Sequence, residues 1–260
     1  MIDTHCHLTF PEFSARVDET LAEAARAAVT GVITIATTVP DAAAAQRIAA
    51  AHPRVWCSAG VHPSYSAKGP HDWDELARLA AHPRCVAWGE LGLDNHYPEP
   101  SAALQRAVVA EQLATIERTH AAWGVAKPIV VHCREAFADL IPVLEKTSLA
   151  RDKFVFHCFT GTPAEMRRLL DFGAWVSFTG VLTYKNAAGV REAALLAPLD
   201  RIMVETDAPF LAPEPVRTKR PCTPAMTWHT ARALAEVRGM AWDEMHALLN
   251  ANTKRFYGVG

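Results

Sequence analysis

Short apolar, β-branched runs alternate along this chain with longer stretches rich in Ala, Leu, Glu and Arg. The apolar runs fall at Met1–Cys6, Gly31–Ala36, Val55–Gly60, Cys85–Gly89, Pro128–His132, Lys153–His157, Ala174–Phe178 and Arg201–Glu205. Between them lie Glu12–Val29, Asp41–Ala51, Trp73–Ala81, Ser101–Trp123, Ala136–Glu145, Pro163–Phe172 and Ala187–Leu196, each long enough to carry the chain back across a sheet. That alternation predicts βα units and a parallel sheet, because parallel neighbours need a crossover. Eight units predict an α/β protein of (β/α)8 TIM-barrel architecture, with no linker or composition shift dividing residues 1–260 into more than one domain.

The punctuation agrees. His52-Pro53 and His82-Pro83 set a proline just after a helical run, and Gly31, Gly124 and Gly173 follow others, where a left-handed cap favours glycine. After the eighth run comes a Pro-rich loop from Pro209 to Pro224, then predicted helices at Ala225–Arg238 and Trp242–Asn250 and a turn at Asn252–Tyr257.

Composition narrows the function. The length of 260 residues suits one large barrel, and half of the residues are hydrophobic, enough for a sizeable core. With 26 basic against 28 acidic residues the net charge is −2, so no global field gathers nucleic acid or an anionic membrane, and a polyanion must be held locally. No leader-like start and no apolar run of membrane-spanning length is present, which predicts a soluble cytoplasmic protein with no membrane partner. The six cysteines, Cys6, Cys57, Cys85, Cys133, Cys158 and Cys222, show no C-x-x-C pairing and read as small buried thiols.

The chemistry gathers at the strand ends. His5-Cys6-His7 closes the first run, and in a strand the two histidines share one face. Glu90 follows the fourth run, His132 ends the fifth, His157 the sixth, and Asp207 follows the eighth. A parallel barrel presents all of these ends at one rim, where this fold builds its active sites. A single histidine ending an apolar run is ordinarily a hydrogen-bonded polar group. Four of them with two carboxylates are explained together by a metal centre. Six donors exceed one tetrahedral site, whereas two ions can share a carboxylate and keep positions open for water. Glu90, from the middle of the strand order, is the candidate bridge. Asp207 is the candidate base, taking a proton from the water, so the predicted chemistry is hydrolysis.

The segments Asp3-Thr4-His5-Cys6-His7, Gly60-Val61-His62-Pro63, Gly89-Glu90-Leu91-Gly92-Leu93-Asp94, Val131-His132-Cys133-Arg134-Glu135-Ala136, Phe156-His157-Cys158-Phe159-Thr160-Gly161 and Glu205-Thr206-Asp207-Ala208-Pro209-Phe210-Leu211-Ala212-Pro213 together resemble the TatD family of metal-dependent deoxyribonucleases, over essentially the whole chain. The resemblance implies a TIM barrel with two divalent ions, Mg, Mn or Zn. One would be held by His5, His7, Glu90 and Asp207, the other by Glu90, His132 and His157. It also implies phosphodiester hydrolysis of DNA, with single strands or 3′ ends as substrate for 3′–5′ exonuclease action. Two loops depart from the family pattern, Arg217-Thr218-Lys219-Arg220-Pro221-Cys222-Thr223-Pro224 and Asp94-Asn95-His96-Tyr97.

Arg134, Arg217, Lys219 and Arg220 are candidate phosphate contacts through charge-assisted hydrogen bonds, against the plainer reading of a solvated basic loop. His62, before Pro63 at the third strand end, is a further candidate phosphate contact. Strand alternation turns Cys6, Cys133 and Cys158 toward the helix layer, and Trp56, Trp88 and Trp175 read as core. The near-neutral charge and altered basic loop leave an alternative, amide or ester hydrolysis of a small molecule or an aminoacyl-RNA. A barrel with purely structural metals would need no spare carboxylate beside an open position.

Overall fold

Eight runs of almost wholly buried residues pair side by side in sequence order, which is what apolar segments with no polar face must do. They are β1 (Ile2–Cys6), β2 (Gly31–Thr34), β3 (Val55–Ala59), β4 (Cys85–Asp94), β5 (Ile129–Arg134), β6 (Phe154–Phe156), β7 (Trp175–Phe178) and β8 (Ile202–Val204). Every pairing is parallel. The ring closes just past β8, where Cys6 bridges Ala208, the Asp207 N–H donates to the His5 carbonyl (2.9 Å) and the His7 N–H donates to the Ala208 carbonyl (2.8 Å). The computed structural model describes residues 1–124 and 126–260, a single-domain (β/α)8 barrel of the expected class.

Helices α1 (Val17–Arg26), α2 (Val39–Ala51), α3 (Trp73–Ala80), α4 (Ala102–Trp123), α5 (Phe137–Leu144), α6 (Pro163–Phe172) and α7 (Ala188–Leu196) link successive strands, followed by α8 (Thr227–Arg238) and α9 (Trp242–Tyr257). Gly124 (φ 66°) and Gly173 (φ 95°) cap α4 and α6 in the left-handed conformation, as expected. Gly31 does not cap a helix. It opens β2, and a Cβ there would lie 2.7 Å from the Trp56 ring. The first helix begins at Val17 rather than Glu12, and α9 runs unbroken where a helix and a separate turn were expected.

The largest departure is β4. It continues five residues past the predicted end at Gly89, so that Leu91, Gly92, Leu93 and Asp94 pair with Val131, His132, Cys133 and Arg134. Gly92 permits this. Its φ is 146°, and a Cβ would stand 1.9 Å from the His132 carbonyl oxygen.

The two-residue period of a strand then sets up the interior. Val130 and His132 share one face of β5, Val155 and Met203 point to the same interior from β6 and β8, and His157, Glu205 and Asp207 follow just past the ends of those two strands. Val130, Val155 and Met203 join one buried cluster with Ile2, Ile33 and Val86, against which the chain's end packs Phe256, Tyr257 and Val259. The lower interior is therefore apolar, and the ionisable residues are gathered at the carboxyl ends of the strands.

Candidate metal centre

Glu90 stands at the middle of the rim, nearly inaccessible to solvent, with each carboxylate oxygen facing a different group of imidazoles. Its Oε2 lies 3.3 Å from His5 Nε2, while its Oε1 lies 2.6 Å from His157 Nε2 and 2.7 Å from His132 Nδ1. On the first side Asp207 Oδ1 is 3.3 Å from His7 Nε2 and 3.5 Å from His5 Nε2, and the two Nε2 atoms are 3.3 Å apart. The ligand atoms of His5, His7 and Glu90 all lie within 4.8 Å of one another. Nitrogen and oxygen donors converging from the ends of β1, β4, β5, β6 and β8 are the chemistry that divalent cations select, so the residues fit the group expected of them.

The ring nitrogens on the far side are spoken for, which turns the near ones inward. His132 Nε2 donates to Asp94 Oδ2 (3.0 Å), His157 Nδ1 to Glu205 Oε1 (3.2 Å), and His7 Nδ1 to the Ile35 carbonyl (3.0 Å). Glu205 is itself fixed by the Ser177 hydroxyl (2.6 Å) and the Cys158 N–H (2.7 Å). Asp3 accepts from Thr206 and braces the Asp207 turn against β1. Carboxylates or carbonyls behind ligating imidazoles fix the tautomer and raise donor basicity. His5 is held otherwise. Its Nδ1 is buried with no hydrogen-bond partner among the described residues, and its ring stacks on His157 with centroids 4.0 Å apart.

Asp94 and Glu205 stand behind the centre, outside the six residues that strand ends and residue type single out. Asp94 is four residues from Glu90 and shares its face of β4, and Glu205 is two from Asp207. A charged residue at such spacing inside a buried run is a signal that was available.

Charge is distributed accordingly. Burial opposes the charged form of Glu90, but His157, His62 and His5 outweigh it and hold the carboxyl well below its ordinary range. Burial likewise opposes Asp207, and His7 and His5 keep it ionised. His157 works against burial too, and Glu90 and Glu205 raise its pKa well above the usual value. Burial, reinforced by His157, lowers His5. His62 is pushed down to about 3, chiefly by burial, with Glu90 opposing.

His62 reaches the centre, its Nε2 standing 3.5 Å from Glu90 Oε1 and 3.1 Å from His132 Nδ1. Its Nδ1 accepts the Ser64 N–H (3.0 Å), so the proton of the neutral ring resides on Nε2. His62 thus presents a donor to the centre rather than a lone pair.

The centre opens into a cleft of about 690 Å³. Arg134 lines it, whereas Arg217, Lys219 and Arg220 do not. Arg217 instead lies over the Tyr184 ring at 3.9 Å and pairs with Glu214 at 3.8 Å. Cys133 and Cys158 also line the cleft; Cys133 nonetheless packs against the buried helix-layer cluster as expected, whereas Cys158 departs from that expectation. Cys158 falls beyond the end of β6 with φ 46°, which voids the alternation rule there. Cys6 is buried as expected, and Trp88 and Trp175 are core.

A model of the family described as TatD related DNase matches residues 2–258. The chain belongs to that family. It is similar to the metal-dependent hydrolase YcfH of Escherichia coli strain K12, at 36% identity over all of this chain and 96% of the relative. It is similar also to the 3′-5′ ssDNA/RNA exonuclease TatD of Klebsiella pneumoniae strain 342, at 34% identity over all of this chain and 98% of that one. The crystal structure of the TatD homologue YJJV from Escherichia coli K12 superposes with a TM-score of 0.91 and 28% identity, covering all of this chain and 98% of that one. Membership of the TatD related DNase family makes the chain a hydrolase, with the buried His, Glu and Asp groups of this rim as the ones able to bind metal.

Proposed function

We propose that the protein removes nucleotides from the 3′ ends of single-stranded DNA, with two divalent cations, Mg, Mn or Zn, in the two halves of the Glu90 centre. The observation carrying this reading is the Glu90 carboxylate, with one oxygen toward His5 and the other toward His132 and His157. His5, His7, Glu90 and Asp207 would hold one cation, and Glu90, His132 and His157 the other. When bound, such cations supply positive charge to the phosphate and bring the ionisation of a water to near pH 7. Asp207, kept ionised at neutral pH by His7 and His5, accepts the proton of the attacking water. His62, neutral and protonated on Nε2, donates to a non-bridging phosphate oxygen, and Arg134 pairs with another. Relatives named for exonuclease action on ssDNA and RNA support the choice of substrate. Six free cysteines suit a reducing, cytoplasmic setting, and no helix among the described residues is long and apolar enough to cross a membrane.

The deciding experiment strips the protein of metal, adds Mg²⁺, Mn²⁺ or Zn²⁺ and follows release of label from 3′-labelled single-stranded DNA. Metal-dependent release is expected. A folded protein that releases none with any of the three ions disproves the proposal, and turnover of aryl esters or lactones in the same assay would point to the carbonyl chemistry instead.

A further inference from the structure

Among the described residues five large hydrophobic side chains are exposed, and two of them, Phe210 (49%) and Tyr97 (54%), line the cleft above Glu90. They belong to loops that follow different strands, β8 and β4. Phe210 belongs to the Asp207 turn, its N–H donating to the Asp207 carbonyl (2.9 Å), and its ring lies edge-on to His7 (6.4 Å) and to Phe10 (6.1 Å). Phe10 in turn stacks on His7 at 4.6 Å and 18°. Tyr97 follows Asp94, the partner of His132, and the Arg134 guanidinium lies 5.3 Å from its ring centroid. One aromatic surface thus adjoins the His7 and Asp207 half of the centre, and the other adjoins the His132 half.

Charge says what such walls can hold. Arg134 is the one Lys or Arg among the described lining residues, against Asp94, Glu135 and Glu165 beyond the centre itself. A run of phosphates finds little to neutralise it there. Exposed π faces bind any base, with a free energy that depends on stacking rather than sequence. A base can reach them only when it is unpaired, since in a duplex its faces are covered.

We propose that Phe210, backed by Phe10, and Tyr97, backed by Arg134, are the two stacking platforms that hold the bases on either side of the scissile phosphate. The inference rests on the exonuclease reading above and adds its recognition element: the enzyme grips one splayed base on each side of the bond and selects single strands for that reason. Both side chains are half exposed and leave no core cavity when truncated.

The test uses single-stranded hexanucleotides, one ending in an ordinary 3′ nucleotide, one carrying an abasic tetrahydrofuran residue at that end, and one abasic at the position before it. For the Mg²⁺-loaded wild-type protein, KM rises about ten-fold or more when either base is missing, the scale of one lost stack. Phe210→Ala and Tyr97→Ala each erase the preference for one of the two bases, and Phe210→Tyr restores it. A 3′-terminal 2-aminopurine gives a second readout, since its fluorescence falls on mixing with wild-type protein before turnover, and one of the two alanine variants abolishes that quench. Base-bearing and abasic strands handled alike by the wild type, or preferences unchanged in both variants, overturn the stacking platforms while leaving the exonuclease standing. If no hexanucleotide is cut with any metal, the exonuclease reading falls first.

Discussion

Asp94 Oδ2 lies 3.0 Å from His132 Nε2, which leaves His132 Nδ1 as the nitrogen that meets Glu90. His132 is thereby the one histidine of the centre that offers Nδ1, and the reason is a carboxylate on the neighbouring strand. Replacing Asp94 by Asn removes the charge but keeps the size. The ring can then turn over, and metal affinity is expected to fall about 10–100-fold, the usual effect of losing such a partner. Titration of the metal-stripped variant with Mn²⁺ or Zn²⁺ measures this, and an unchanged affinity would show that Asp94 does not set the ring.

His62 gives the metal-free protein a pH dependence whose sign follows from its depressed pKa. The unfolded chain takes up a proton on this ring below its ordinary 6.5, while the folded chain resists until about 3. Stability from this group is full above pH 6.5 and is lost as pH falls through that window. His62→Gln removes the group, so the fall in Tm between pH 6.5 and pH 4 should be smaller in the variant, whatever its absolute Tm. Thermal scans of both proteins in EDTA across that range decide the matter.

The barrel and the six central residues are legible in the sequence because strand count, strand-end position and residue type all follow from local order. Glu90 illustrates the limit. Its place beyond Gly89 is readable, but its setting inside a strand depends on Gly92 meeting the His132 carbonyl across the sheet, a contact no local pattern encodes. The basic loop misled for a related reason: Arg217, Lys219 and Arg220 follow β8 in sequence, yet none of them lines the cleft, and Arg217 is turned onto Tyr184 and Glu214. Phe10, Tyr97 and Phe210 lie in loops, where neither period applies, and only their shared place along one cleft singles them out.

That difference among the basic residues can be measured. Arg134→Ala should raise KM for single-stranded DNA by about 5–150-fold, the range of one lost charge-assisted hydrogen bond of about 1–3 kcal/mol. Arg217→Ala should change KM less than two-fold, since its guanidinium is engaged outside the cleft. Equal effects of the two substitutions would return the loop to the substrate path.

Gly92 is the position least able to change. Alanine there must relieve a 1.9 Å approach to the His132 carbonyl and adopt φ 146°. Loss on the order of 3 kcal/mol is expected from strain and displaced pairing, together with weakened metal binding, since β5 carries His132. Chemical denaturation gives the first and metal titration the second, and a variant as stable as the parent would refute the close approach.

Asp207→Asn separates holding a cation from moving a proton. Asp207 Oδ1 is 3.3 Å from His7 Nε2 and 3.5 Å from His5 Nε2, and asparagine's amide oxygen can occupy the same place. With His5, His7 and Glu90 unaltered, much of the donor set survives and cation content should be largely retained. What asparagine cannot do is accept the proton of the attacking water at neutral pH. Removal of a general base lowers rates about 10²–10⁴-fold, so kcat should fall by that amount while bound metal, measured by elemental analysis on the same sample, stays near the parent's. Metal retained with undiminished kcat would rule Asp207 out as the proton acceptor.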